Sequence, residues 1–300
     1  MANSESVQAL RRFEIPGRIS IMEGNGDLPK VEITGDAARA EVYLHGAHVT
    51  GFQQNGQPPL LFMSQCSRFA NNQPIRGGVP LILPWFGPRE GEPAHGFART
   101  TDWHLTETSA LPAGGATLRF SLPETTAGAM WPAFTATFVV TVTDRLAMEL
   151  IVTNAERDRS FTFENCLHTY FQVADITQVS VVGLKGAGYL DKADNYTPKT
   201  EQADAITFAG EVDRTYMDTA GPVEILDRSL RRKILVAKTG SHSTVVWNPW
   251  IAKAAQMPDF GNDEYKQMVC VESGNVGRNK ITLAPGQSCA MRVELSATPL

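Results

Sequence analysis

The sequence predicts an all-β fold of two packed sheets, and three observations carry that expectation. Short segments rich in β-branched and aromatic residues recur along the chain, turn residues separate them, and stretches of helical period are nearly absent. After a turn at Gly24-Asn25-Gly26, a strand is expected at 39–45 (RAEVYLH), closed by Asn55-Gly56. Ala113-Gly114-Gly115 precedes the next, 116–122 (ATLRFSL). Alternating apolar positions then mark 133–143 (AFTATFVVTVT) and 145–153 (RLAMELIVT). The run 161–173 (FTFENCLHTYFQV) reads as one long strand, followed by 177–182 (TQVSVV). Further strands are expected at 231–237, 243–247, 267–272 and 289–296, and one short turn of helix at 259–267. No composition break, linker or repeat interrupts the pattern from about 15 to 297, so the expectation is a single domain over 1–300. The polar residues 1–12 read as a loose N-terminal tail.

Composition narrows the function classes. A chain of 300 residues with 42% hydrophobic and 20% charged residues is long enough for a large core. Its net charge of −5 argues against a nucleic-acid partner, which needs basic surface to displace counterions. No apolar run is long enough to span a membrane, and the N-terminus has no signal-like apolar stretch. Cys66, Cys166, Cys270 and Cys289 are scattered beside apolar runs and form no C-x-x-C pair. They read as small buried residues with reduced thiols, and the cytoplasm is the expected compartment.

The densest concentration of unusual residues is 76–99, RGGVPLILPWFGPREGEPAHGFAR. Its glycines and prolines impose special backbone angles and forbid a regular helix. Arg76 and Arg99 flank this loop, and a guanidinium offers a planar fork of donors suited to phosphate or carboxylate. Each arginine alone reads equally as a surface ion-pair partner. Within 161–173, alternation sets Phe161, Phe163, Leu167, Phe171 and Val173 on a core face. Glu164, His168, Tyr170 and Gln172 fall on the other face, so His168 looks to a cleft or simply to water. Glu272 ends Met268-Val269-Cys270-Val271, a run apolar on both faces. Either its carboxylate is buried, at a desolvation cost that raises its pKa, or Ser273-Gly274-Asn275 turns it to solvent.

Asp213 could accept from sugar hydroxyls or pair locally with Arg214. Trp85, Trp247 and Trp250 offer either stacking platforms or ordinary core aromatics, and the proline in VVWNPW puts Trp250 in a loop. His45 and His48 flank a strand break at Gly46 and read as structural, with no third metal ligand nearby. The chain contains no G-x-S-x-G elbow, no H-E-x-x-H and no P-loop.

With LHGAHVTGF, PIRGGVPLILPWFG, AHGFAR and Trp103 behind it, LHTYFQVADI, VDRTY, VVWNP and YKQMVCVE, the chain resembles the hexose-6-phosphate mutarotase (glucose-6-phosphate 1-epimerase) branch of the aldose 1-epimerase superfamily. The resemblance runs from about residue 30 to the end. It implies a large antiparallel β-supersandwich with few short helices, a phosphorylated hexose substrate, and no metal or organic cofactor. It places the catalytic histidine on His168 and the catalytic glutamate on Glu272. Substrate contacts fall on Arg76, Arg99 and Asp213, and His95 lines the sugar pocket. Some members carry a polar Gln where this chain has Ala94, and SGNVGRNK after Glu272 is less typical. The implied reaction is interconversion of α and β anomers by ring opening and reclosure. The alternatives are a mutarotase for free hexoses and a non-catalytic carbohydrate-binding module on the same fold. The expected assembly is a monomer or weak homodimer.

Overall fold

The computed structural model describes residues 7–112, 114–124 and 131–300. Two large antiparallel sheets dominate. The first has nine strands in the spatial order Ala205–Thr207, Val179–Val182, Val223–Asp227, Arg232–Thr239, Ser288–Pro299, Leu146–Asn154, Phe134–Val142, Ala116–Ser121 and His104–Ala110. The second runs Thr197–Thr200, Gly188–Asp191, Val212–Met217, Ser243–Asn248, Met268–Asn275, Asn165–Leu167 and Leu81–Ile82, with Tyr170–Gln172 also paired to Met268–Asn275. A four-stranded meander, Ile19–Glu23, Pro29–Thr34, Ala38–Tyr43 and His48–Gln54, completes the large elements.

Burial follows the sequence pattern. Phe134–Val142 alternates buried and partly exposed positions, so one face of that sheet meets the core. Met268–Asn275 and Ser243–Asn248 are buried at every position, as befits central strands covered on both faces. A continuous apolar cluster joins Val31 and Val42 of the meander, Phe120, Phe138 and Leu150 of the nine-stranded sheet, and Val246 and Val269 of the other. Each such side chain, fully buried, contributes roughly 1.5–3 kcal/mol.

Four expectations are corrected. The run 161–173 is three short strands, Phe161–Phe163, Asn165–Leu167 and Tyr170–Gln172. It is interrupted at His168, where Thr169 N turns back to Leu167 O at 2.9 Å, while Glu164 N, His168 N and Tyr170 N keep bonds to Pro84 O, Pro80 O and Gly78 O in register with the Leu81–Ile82 strand. Trp250 opens a one-turn helix, Trp250–Ala254, where a loop was expected. Cys66 is exposed in a turn, whereas Cys166 and Cys270 are buried as expected, and all four thiols are free. In the segment read as a tail, Val7–Leu10 forms a helical turn and Leu10 is fully buried, while residues 1–6 lie outside the described residues, as does Ala113 of the expected turn. The turn of helix expected within 259–267 is present as the 3-10 segment Glu264–Gln267. Among the described residues no helix is long and apolar enough to cross a membrane.

Candidate active site

The register that carries across the interruption in 161–173 sets up the site. Leu167 pairs with Ser273 and Tyr170 with Cys270, so continuing that register sets His168 opposite Glu272. Both side chains then project from one face of the eight-stranded sheet. His168 Nε2 stands 3.2 Å from Glu272 Oε1, with His168 8% and Glu272 1% exposed. Val245 pairs with Glu272 and Asp213 with Trp247, which brings Trp247 and Asp213 to the same face. Above them lies a cleft of about 210 Å³ lined by Arg76, Phe86, His95, His168, Lys192, Asp213, Val245, Trp247, Lys253, Met257 and Glu272.

Electrostatics follow from burial. Desolvation pushes the Glu272 carboxyl up to about 8, against the pull of the Lys192 charge and of the Cys166 thiol, which donates to Oε2 at 3.5 Å. Burial, then His95, Arg76 and Arg99, hold the His168 imidazole well below its usual value. Both shifts favour the uncharged forms, a carboxyl that holds its proton and an imidazole that lacks one. Tyr170 stacks on His168 with centroids 4.8 Å apart and planes 9° from parallel, while Trp247 meets the imidazole edge-on. His95, at a left-handed φ of 67°, presents its ring to His168 at 5.8 Å, and burial with the Arg99 charge lowers it to about 3.

The two arginines expected at an anion site are placed differently relative to the cleft. Arg76 lines the cleft, but its Nε and Nη2 donate to Asp259 Oδ2 at 3.2 and 3.0 Å and its Nη1 to the Tyr170 hydroxyl at 2.9 Å. Burial works against its charge, but Tyr170 and Asp259 outweigh it and hold the guanidinium above its ordinary value. Arg99 is not among the lining residues. Its Nη2 donates to Ala94 O at 2.7 Å and its buried Nε has no partner among the described residues. Burial and Arg76 lower Arg99 to about 10, and its charge acts on both His95 and His168.

Asp213 does not pair with Arg214, which bonds Glu201 instead. It lies 3.6 Å from Lys192 and 3.5 Å from Lys253. Of the three tryptophans singled out, only Trp247 lines the cleft; Trp85 stacks on Trp131 and Trp250 tilts against Tyr265. Sequence reasoning missed Lys192, Lys253 and Asp259. Lys192 sits in a 3-10 turn and Lys253 in a one-turn helix, where each reads as a surface lysine. A neutral imidazole beside a carboxyl with a raised pKa can accept from one oxygen of a small polar ligand while donating to another.

Comparison with known proteins agrees. The aldose 1-epimerase family profile matches residues 29–296. A Cenchrus ciliaris protein bearing the provisional name glucose-6-phosphate 1-epimerase is 37% identical over 269 residues, covering 87% of this chain and 82% of that one. An Escherichia coli K12 protein with the same provisional name is 34% identical over 251 residues, covering 82% and 83%. Among solved structures, a provisionally named mutarotase (YeaD) from Salmonella typhimurium superposes with a TM-score of 0.88 at 29% identity over 96% of each chain.

Proposed function

Because this chain belongs to the aldose 1-epimerase family, we propose that it is an isomerase interconverting the α and β anomers of hexose 6-phosphates, glucose 6-phosphate foremost. The observation that carries this reading is the His168–Glu272 pair, 3.2 Å apart on the floor of a cleft whose wall holds Arg76. In ring opening, Glu272 takes the proton from the C1 hydroxyl, the C1–O5 bond breaks as C1=O forms, and His168 protonates O5. Rotation about C1–C2 and reclosure with the roles reversed gives the other anomer. Each positioned group is typically worth roughly 10²–10⁴-fold in rate.

The resting protonation state is the inverse of the one this cycle starts from, and the substrate supplies the correction. A phosphate dianion beside Arg76 and Arg99 offsets the positive charges that disfavour protonated His168. Transfer of a proton from Glu272 to His168 in the bound state leaves a carboxylate as the base. Trp247 packs against the sugar, and Asp213, released from Lys192 and Lys253, accepts from its hydroxyls. These residues need no metal or organic cofactor for the cycle. The free thiols fit a cytoplasmic enzyme.

A second reading, a mutarotase for free hexoses, is favoured by one observation: Asp259 and Tyr170 already occupy the donors of Arg76. Magnetisation-exchange NMR on glucose 6-phosphate, glucose and galactose separates the two. Fast exchange confined to the phosphorylated sugar supports the first reading, and equal exchange of all three supports the second. Binding without exchange of any would leave a carbohydrate-binding module.

A further inference from the structure

The turn Leu44–His48 takes no part in the chemistry, yet it is bonded to both segments that carry the arginines. His45 Nε2 lies 2.8 Å from Gln73 O, and His48 Nε2 lies 2.8 Å from Gly77 O. A carbonyl oxygen only accepts, so both Nε2 atoms donate. These two bonds pin the chain on either side of Arg76. The imidazole of His48 is also pressed against the loop, since a Cβ on Gly78 would lie 2.9 Å from its Nε2 and 2.3 Å from Val49 O.

The opposite side of the same turn seats the Arg99 segment. His45 Nδ1 meets Asp102 Oδ1 at 2.9 Å, Gly46 N donates to Thr101 O at 2.7 Å and Trp103 N to Leu44 O at 2.9 Å. At Gly46, where φ is 73°, a Cβ would come within 2.7 Å of Arg99 O. His45 and His48 are 1% and 0% exposed, so neither reaches a ligand.

We propose that the turn His45–His48 is a positioning element that fixes the Arg76 and Arg99 segments relative to one another, and so sets the preference for phosphorylated over free sugars. This rests on the phosphate reading of the two arginines given above. His48 is the principal residue, because its target, Gly77 O, adjoins Arg76 directly. The role requires a donor at the position of Nε2 and no charge. Burial lowers His48 to about 3 and keeps the ring neutral, while its Nδ1 has no partner among the described residues.

The test compares His48→Leu, which removes the donor, with His48→Gln, whose amide nitrogen reaches the same carbonyl. KM and kcat for glucose 6-phosphate, exchange of free glucose, and calorimetric binding of inorganic phosphate are measured on each. For His48→Leu, KM and the phosphate Kd are expected to rise about tenfold. Its kcat should stay within about twofold of the wild type and its free-glucose exchange should not change. His48→Gln is expected to restore both affinities. Unchanged affinities in His48→Leu would mean that Asp259 and Tyr170 alone position Arg76, and would overturn the proposal. So would a parallel fall of kcat, free-sugar exchange and folded fraction, the signature of a merely structural role. If His48→Leu fails to fold, Asp102→Ala, which removes the partly exposed partner of His45 Nδ1 on the Arg99 side, is expected to give the same split between affinity and turnover; unchanged affinity there overturns the proposal equally. A wild-type protein that binds phosphate but exchanges no sugar would sink the mutarotase reading while leaving the phosphate comparison intact.

Discussion

Oε1 of Glu272 lies 3.2 Å from Nε2 of His168 because the two residues oppose one another in an interrupted antiparallel ladder. The interruption matters as much as the proximity. Between Leu167 and Tyr170 the chain makes a tight local turn, Thr169 N to Leu167 O, while His168 N and Tyr170 N stay bonded to Pro80 O and Gly78 O of the loop at 78–84. The same loop begins just after Arg76. The His168–Glu272 pair and one wall of the cleft are therefore set by a single local arrangement.

The pH dependence of turnover follows from the raised value of Glu272. Burial raises Glu272 to about 8, so the proton is lost as pH climbs through that value. After subtraction of spontaneous exchange, kcat/KM is expected to fall above about pH 8. A rate that keeps rising to pH 9.5 would contradict the assignment.

Cys166 tunes that limb. Its thiol donates to Glu272 Oε2 at 3.5 Å and favours the carboxylate. Cys166→Ala is expected to move the alkaline limb upward by a few tenths of a pH unit, roughly what a weak donor is worth. Cys166→Ser should leave it in place. A pH–rate profile of the two variants checks both statements.

Stability should carry the signature of Glu272 as well. Its folded pKa lies above the unfolded value, so between about 4.5 and 8 the folded chain binds more protons than the unfolded one. The contribution is complete below the unfolded pKa and is lost as pH rises through the folded one. Glu272→Gln removes this loss, and its Tm relative to the wild type is expected to improve by several degrees between pH 5 and pH 8.5. At this chain length about 1 kcal/mol corresponds to roughly 2–4 °C. An unchanged Tm difference across that range would show that the carboxyl is not desolvated.

Arg76→Ala should raise KM for glucose 6-phosphate by roughly 10–100-fold and affect free glucose far less, since a charged hydrogen bond is worth about 1.5–3 kcal/mol. Asp259→Asn, which loosens Arg76 without removing it, should give a smaller change in the same direction. Steady-state kinetics on both sugars checks the pair. Equal losses on both sugars would remove Arg76 from the anion site.

Much of the fold is legible in the sequence because burial imposes simple periods. Phe134–Val142 and Leu146–Asn154 alternate, and Met268–Val271 is apolar throughout, as a doubly covered strand must be. Strands such as Gly188–Asp191, Thr197–Thr200 and Val223–Asp227 escape the pattern because charged or turn-type residues (Gly188, Asp191, Pro198, Lys199, Glu224 and Asp227) break up their short apolar runs. His168 and Glu272 stand out locally, one on a polar face and the other ending an apolar run. Their pairing does not, because register between distant strands leaves no trace in either segment. Asp259 and Lys192 are silent for the same reason, since their partners Arg76 and Asp213 are remote in sequence.

The most direct measurement is α/β exchange of glucose 6-phosphate by magnetisation-transfer NMR with wild-type protein, Glu272→Gln and His168→Ala, each verified as folded by circular dichroism. The expected result is rapid exchange with the wild type and a loss of at least about 100-fold in each variant. Exchange at the wild-type rate in either folded variant would contradict the acid–base role of the His168–Glu272 pair.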